Sequence, residues 1–214
     1  MKIAGFVPLS TVDASGHNTA VIFVQGCPMK CINCQNPATH DPKKGLEITE
    51  RGIQRMLDGM KTPDGGKFVD WVTISGGEPL FNAGTTLTIA RIAKKNGFKV
   101  AMETSGYKPH TLGRLLQTGQ IDAVYLDCKA DLRGDHYFNT TRMITGGIWW
   151  EALWTALAYP IELQIRTTTF EGVSEPDYDL IEDDIKVRLM TSACGGYGGK
   201  AKYIGWKKQA GVIR

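Results

Sequence analysis

The sequence predicts an α/β protein built on a mostly parallel sheet. Short apolar runs of strand length alternate with segments of helical periodicity along the chain. Those runs are mostly apolar side chains rather than alternating apolar and polar, as expected of strands covered on both faces. Glycine is abundant, 25 of 214 residues, and much of it follows the apolar runs directly. That placement suits an α/β protein with functional loops better than a helical bundle.

Residues 2–7, KIAGFV, read as a first strand interrupted by Gly5, and Pro8 to Asn18 as a polar loop. The run Ala20–Val24 reads as a buried strand ending at Gln25-Gly26. Pro37 to Lys44 is irregular, with a turn at Asp41-Pro42. Thr49 caps a helix through about Met60, with Ile53, Met56, Leu57 and Met60 at helical spacing. Phe68–Ile74 is a strand, about 83–95 a helix closed by Asn96-Gly97, and Phe98–Met102 a strand. A short helix over about 110–116 precedes the strand Ile121–Leu126. After a polar loop, Gly147–Leu157 reads as a helix whose Trp149, Trp150 and Trp154 pack a core or an interface. Ile161–Ile165 is a strand, a helix lies within about 175–182, and Ile185–Leu189 is expected as the last strand. The count is six or seven strands, fewer than the eight of a closed barrel.

One domain over 1–214 is expected, since neither a repeat nor a dividing linker is evident, with a basic segment at about 192–214. No apolar run reaches the ~18 residues that suggest a membrane span. The opening residues do not read as a secretory signal, so the cytoplasm is the expected compartment. There, clustered thiols bind metal or do chemistry more often than they form disulfides. A net charge of +3 does not argue for nucleic acid. Lys200, Lys202, Lys207, Lys208 and Arg214, interleaved with Tyr203 and Trp206, suit a solvated final helix or a protein-docking edge.

Right-handed crossovers put the C-terminal ends of parallel strands on one rim, where ligands bind. The chemically unusual residues all follow strands: Cys27, Cys31 and Cys34, then Gly76 to Pro79, Glu103 to Gly106, Asp127 to Lys129, and Arg166. Three thiols within eight residues suit one soft metal centre. Gly26, Pro28, Asn33, Asn36 and Pro37 oppose a helix that would merely bury them. An iron–sulfur cluster with one open iron is the leading reading. Structural zinc, with a fourth ligand from Cys128, Cys194, His40 or His136, and packing or redox cysteines stay open at this point. Gly76-Gly77 lets a ligand approach the backbone, and Glu78 suits a cationic amine. Neither a GxGxxG motif nor a Walker lysine is present. Cys128 reads as core, by strand alternation, and Gly195 to Gly198 as a turn.

The Cys27–Cys31–Cys34 spacing, joined to Gly76-Gly77-Glu78-Pro79, closely resembles radical S-adenosylmethionine enzymes. Within that superfamily the chain is similar to the small glycyl-radical activating enzymes. Its opening GFVPLSTVDASGHNTAVIFVQGC is most similar to activating proteins of anaerobic ribonucleoside-triphosphate reductase. The resemblance covers most of residues 1–190 and implies a partial (β/α)6 barrel. It implies that Cys27, Cys31 and Cys34 ligate three irons of a [4Fe–4S] cluster, whose fourth iron takes the amino and carboxylate groups of S-adenosylmethionine. Gly76, Gly77 and Glu78 would meet the methionine amine, and Thr104 and Ser105 the methionine or ribose. Asp127 and Lys129 would reach the sulfonium or carboxylate end, Lys129 counting with the three cysteines as catalytic, and Arg166 would close the pocket.

The activity implied is reductive cleavage of S-adenosylmethionine, with an electron from reduced flavodoxin or ferredoxin. The resulting 5′-deoxyadenosyl radical takes a glycine Cα hydrogen from a partner, anaerobic ribonucleotide reductase first and a pyruvate formate-lyase second. The chain departs from many relatives at Asn33, where they carry an aromatic residue, and at Ser15-Gly16, where they carry a proline–glycine pair. A zinc-stabilised binding module is the non-enzyme alternative.

Overall fold

Strand β1 (Lys2–Ser10) and strand β2 (Thr19–Val24) form an antiparallel pair that opens the chain. The register shifts between Ile3 and Gly5, so the glycine that interrupts the apolar run sits at a bulge. The computed structural model describes residues 1–193 and 200–210. These divide into two compact units.

The first unit comprises 1–28, 36–103 and 119–122. Besides β1 and β2 it holds β3 (Leu46–Glu47), helix α1 (Glu50–Asp58), β4 (Trp71–Gly76), helix α2 (Ala83–Lys95) and β5 (Lys99–Thr104), whose last residue falls in the second unit. The strand order is β3-β1-β2-β4-β5, with β2, β4 and β5 parallel. Residues of β2 and β4 are buried on both faces, which explains why they read as unbroken apolar runs. Two polar exceptions pair with each other: the hydroxyls of Thr19 and Thr73, both fully buried, lie 2.9 Å apart. Thr49 caps α1 as expected, accepting the N–H of Gly52 at 3.2 Å. A three-residue 3₁₀ turn, Pro37–Thr39, punctuates the irregular stretch after the cysteines.

The second unit comprises 29–35, 104–118 and the chain from Ala123 onward. It holds helix α3 (Pro109–Gln117), β6 (Ala123–Asp127), α4 (His136–Thr141), α5 (Gly146–Leu157), β7 (Glu162–Thr169), α6 (Tyr178–Ala193) and β8 (Lys202–Ala210). Strands β6, β7 and β8 are parallel in that order. The expected α/β class with a parallel sheet therefore holds in both units. Trp149 is core, as expected, whereas Trp154 is exposed beneath the Arg188 guanidinium, 4.3 Å from its ring.

Four expectations need correction. The described residues hold eight strands rather than six or seven, β3 and β8 being the additions. Ile185–Leu189 is not a strand; it lies inside α6. Ile181 and Ile185 bury one helical face, and ion pairs Asp183–Lys186 and Asp184–Arg188 span successive turns. The last strand is instead β8, in the basic segment, which overturns the solvated-helix alternative there. Its lysines belong to an outer strand, where lysine is common, while Tyr203 stands opposite Leu163 and Trp206 opposite Ile165 in the register against β7. The supposed polar loop before α5 contains α4, too short for periodicity to reveal. Cys194, the Gly195–Gly198 turn and Arg214 lie outside the described residues.

Candidate cluster-binding site

In the first unit, β2 ends in Gln25-Gly26-Cys27, and each residue is fastened separately. The buried Gln25 amide donates to the carbonyls of Ala38 (3.0 Å) and Asp41 (2.8 Å), while Asn82 donates to the Gln25 carbonyl (3.1 Å). The N–H of Gly26 donates to the Thr39 carbonyl (2.8 Å) and that of Cys27 to the His40 carbonyl (3.2 Å). The Cys27 thiol therefore stands on backbone stitched to the turn after it.

Gly76 to Glu78 press against the same strand end. The N–H of Gly77 donates to Val24 O (2.9 Å) and that of Glu78 to Gly26 O (3.0 Å). A Cβ on Gly77 would stand 2.3 Å from the Gly26 carbonyl oxygen. Gly76 has φ +106, and a Cβ there would meet the Val24 backbone at 2.7 Å. Both glycines are thus required by the approach of one loop to another. Glu78 is buried, and its Oε1 accepts the N–H of Leu80 at 3.0 Å. Ser75 Oγ donates to the Glu103 carboxylate.

In the second unit, the N–H groups of Lys30 and Ile32 donate to the carbonyls of Thr141 (3.2 Å) and Thr140 (3.0 Å), and that of Cys34 donates to Cys31 O (3.3 Å). Cys31 and Cys34 are half-buried and in no disulfide. Burial pushes the Cys31 thiol above its ordinary pKa; Lys129 pulls it down, and Cys34 and Asp127 push it up. Cys31 therefore shares an electrostatic neighbourhood with Cys34 and with both members of the Asp127–Lys129 pair. That pair is an ion pair of 2.9 Å at the end of β6, its side chains partly exposed. Arg166 faces Asp127 in the β6–β7 register, holds its guanidinium 3.8 Å over the Tyr125 ring and donates from Nε to Gln164 (3.1 Å). Thr104 and Ser105 are buried, and Thr104 Oγ1 accepts the N–H of Gly106 at 3.1 Å. Cys128 is fully buried with its thiol pushed well up by desolvation, a core residue as strand alternation predicts.

The structure thus joins Cys27 to Gly76–Glu78 through Gly26, and sets Cys31 where the charges of Cys34, Asp127 and Lys129 bear on its thiol. Among the described residues, no group of three or more His, Cys, Asp or Glu is arranged to hold a metal ion. The donor chemistry nevertheless fits an iron–sulfur cluster, because all three residues are half-exposed thiols outside any disulfide, borne on backbone fixed by main-chain hydrogen bonds. Sequence reasoning missed Gln25 and Asn82. Gln25 had a weak signal, as a polar residue closing an apolar run.

The model of the 4Fe-4S single cluster domain matches residues 12–134, more than half of the chain, and spans both the cysteine loop and the Asp127–Lys129 turn. The chain belongs to the 4Fe-4S single cluster domain family. Its resemblance to the radical S-adenosylmethionine superfamily and the glycyl-radical activating enzymes holds, and the family description bears out the expected [4Fe–4S] cluster. One relative of this 4Fe-4S family member, from Methanocaldococcus jannaschii, bears the provisional name of a glycyl-radical enzyme activating enzyme. It is 37% identical over 136 residues, covering 63% of this chain and 52% of the relative. The pyruvate formate-lyase-activating enzyme of Clostridium pasteurianum is 32% identical over 128 residues, covering 60% and 52%. The chain spans about half the length of these relatives. Among solved structures, anSMEcpe with bound AdoMet shares the fold, at 13% identity and a TM-score of 0.53, covering 88% of this chain and 49% of that one. No helix among the described residues is long and apolar enough to cross a membrane.

Proposed function

We propose that this 4Fe-4S protein is a radical S-adenosylmethionine enzyme that activates a glycyl-radical enzyme by removing a hydrogen atom from a glycine Cα. The observation that carries the reading is the shared neighbourhood of Cys31, Cys34, Asp127 and Lys129, together with the family match. Cys27, Cys31 and Cys34 are the thiolate ligands of the cluster. When bound, the cluster and S-adenosylmethionine supply the one-electron reductive cleavage and the hydrogen abstraction, with the electron from reduced flavodoxin or ferredoxin.

The chain's own work is binding and orientation. Asp127 and Lys129 present opposite charges from one strand end to a ligand that carries an amine, a carboxylate and a sulfonium. Arg166, with its guanidinium over the Tyr125 ring, adds a cation beside them on the next strand. Gly76 and Gly77 shape the backbone beside Cys27, with Glu78 buried behind it. Thr104 and Ser105 supply hydroxyls at the end of β5 for the methionine or ribose. One domain acting in the cytoplasm, with the basic segment at its end, completes the reading.

Anaerobic ribonucleotide reductase is the partner favoured by the opening segment's resemblance. A pyruvate formate-lyase-like partner is the second reading, favoured by the names of the relatives. Anaerobic incubation of the reconstituted, reduced protein with S-adenosylmethionine and each candidate partner, read by electron paramagnetic resonance, separates them. A glycyl-radical doublet with the reductase alone supports the first reading, and with the lyase alone the second. No S-adenosylmethionine cleavage with iron loaded would end both.

A further inference from the structure

Helix α4 touches two segments that carry candidate ligands. At its start Tyr137 is fully buried. Its hydroxyl donates to the Asp127 carbonyl at 3.1 Å and accepts the N–H of Lys129 at 3.3 Å. The Trp149 indole donates to the same carbonyl at 2.9 Å. At the other end of the helix, the carbonyls of Thr140 and Thr141 accept the N–H groups of Ile32 and Lys30, the two residues that flank Cys31. The two ends are tied together: the buried Thr141 hydroxyl donates to the Tyr137 carbonyl at 2.9 Å and accepts the N–H of Ile144 at 3.1 Å.

The geometry assigns Tyr137 as a positioning residue that, through α4, holds the Asp127–Lys129 turn and the Cys31 loop in one arrangement. This rests on the reading of Asp127 and Lys129 as ligands of S-adenosylmethionine. The physical reason lies in what one hydroxyl spans. The C=O of residue 127 and the N–H of residue 129 close on the same oxygen, which restricts the backbone torsions between them. With Cys128 turned into the core, the side chains of 127 and 129 leave the strand on the opposite side. A partly exposed ion pair stabilises little by itself and holds no fixed direction. Anchoring its backbone to a buried hydroxyl supplies the direction. Because α4 also holds the stretch around Cys31, a loss at Tyr137 reaches the cysteine loop as well.

The test compares wild type with Tyr137→Phe, which keeps the ring and removes both hydrogen bonds, as cluster-loaded proteins of equal iron content. Amide hydrogen exchange by mass spectrometry and S-adenosylmethionine affinity by equilibrium dialysis are the two readouts. The expected result is lost protection in 127–130 and also in 29–35, with affinity weakened roughly five- to tenfold. Adding Tyr137→Phe to Lys129→Met should then weaken binding little beyond Lys129→Met alone. Exchange confined to 127–130, or unchanged affinity, overturns the assignment. Should Tyr137→Phe not fold, Thr141→Val replaces it: coupled loss in both segments supports the assignment and local loss overturns it. Should loaded wild type not bind S-adenosylmethionine, the functional reading fails, and the exchange result alone decides the coupling.

Discussion

Gly77 and Gly26 are packed backbone to backbone, with 2.3 Å between the Gly26 carbonyl oxygen and the place of a Cβ on Gly77. Neither side of this contact is a flexible side chain, so it cannot yield cheaply. Gly77→Ala should destabilise the protein by about 1–3 kcal/mol and disturb the hydrogen bonds made by Gly77 and Glu78 at the Cys27 end of β2. Gly84→Ala is the control, since a Cβ there meets nothing within 4 Å on helix α2. It should be neutral or stabilising by about 0.5–1 kcal/mol. Urea denaturation of both variants checks the contrast.

Replacing Cys27, Cys31 or Cys34 singly by Ala should abolish stable loading of a four-iron cluster in each case. Replacing the buried Cys128 by Ala should leave iron content unchanged. Iron and sulfide analysis after anaerobic reconstitution, with the visible absorbance of the cluster, distinguishes the two groups. Iron retained in any of the first three would remove that thiol from the ligand set.

Asp131 is held below its ordinary carboxylate pKa of 3.8, chiefly by hydrogen bonds from the Arg133 side chain. A carboxylate whose folded pKa is lowered binds its proton more readily when unfolded. It therefore stabilises the fold above the unfolded value, and that contribution fades as pH falls through the folded one. Below pH ~4, the melting temperature of wild type should fall more steeply than that of Asp131→Asn. Parallel pH profiles of the two proteins would show that this pair contributes nothing.

Trp206 ties β8 to its neighbours. Its indole N–H donates to Thr167 Oγ1 at 3.2 Å, and its ring meets that of Tyr178 edge to face at 4.8 Å between centroids. Trp206→Ala should cost about 1–3 kcal/mol, less than the truncation of a fully buried tryptophan because the side chain is half-exposed. Thermal unfolding followed by circular dichroism measures it, and an unchanged midpoint would mean that β8 contributes no stability.

Much of the fold was legible because local signals agreed with burial. Thr19–Val24 and Trp71–Gly76 are apolar on both faces, and helix 83–95 has periodicity and a stop signal together. The misreadings share a cause. Ile185–Leu189 is a short apolar run that fits a strand or a helix equally, and only its packing through Ile181 and Ile185 decides. Strand β8 is rich in lysine because it lies at an edge, a position that exists only once the sheet is assembled.

The sequence by itself determined the residue types and their spacing: three thiols in eight residues, a Gly-Gly-Glu-Pro turn and an Asp-x-Lys pair, each after a strand. Spacing along a chain is local, so it survives without a structure. Only the tertiary structure decided why Gly77 must be glycine, which way Asp127 and Lys129 face, and that Tyr137 anchors them. Those are contacts between residues distant in sequence, made by hydrogen bonds and van der Waals surfaces that no one-dimensional pattern records.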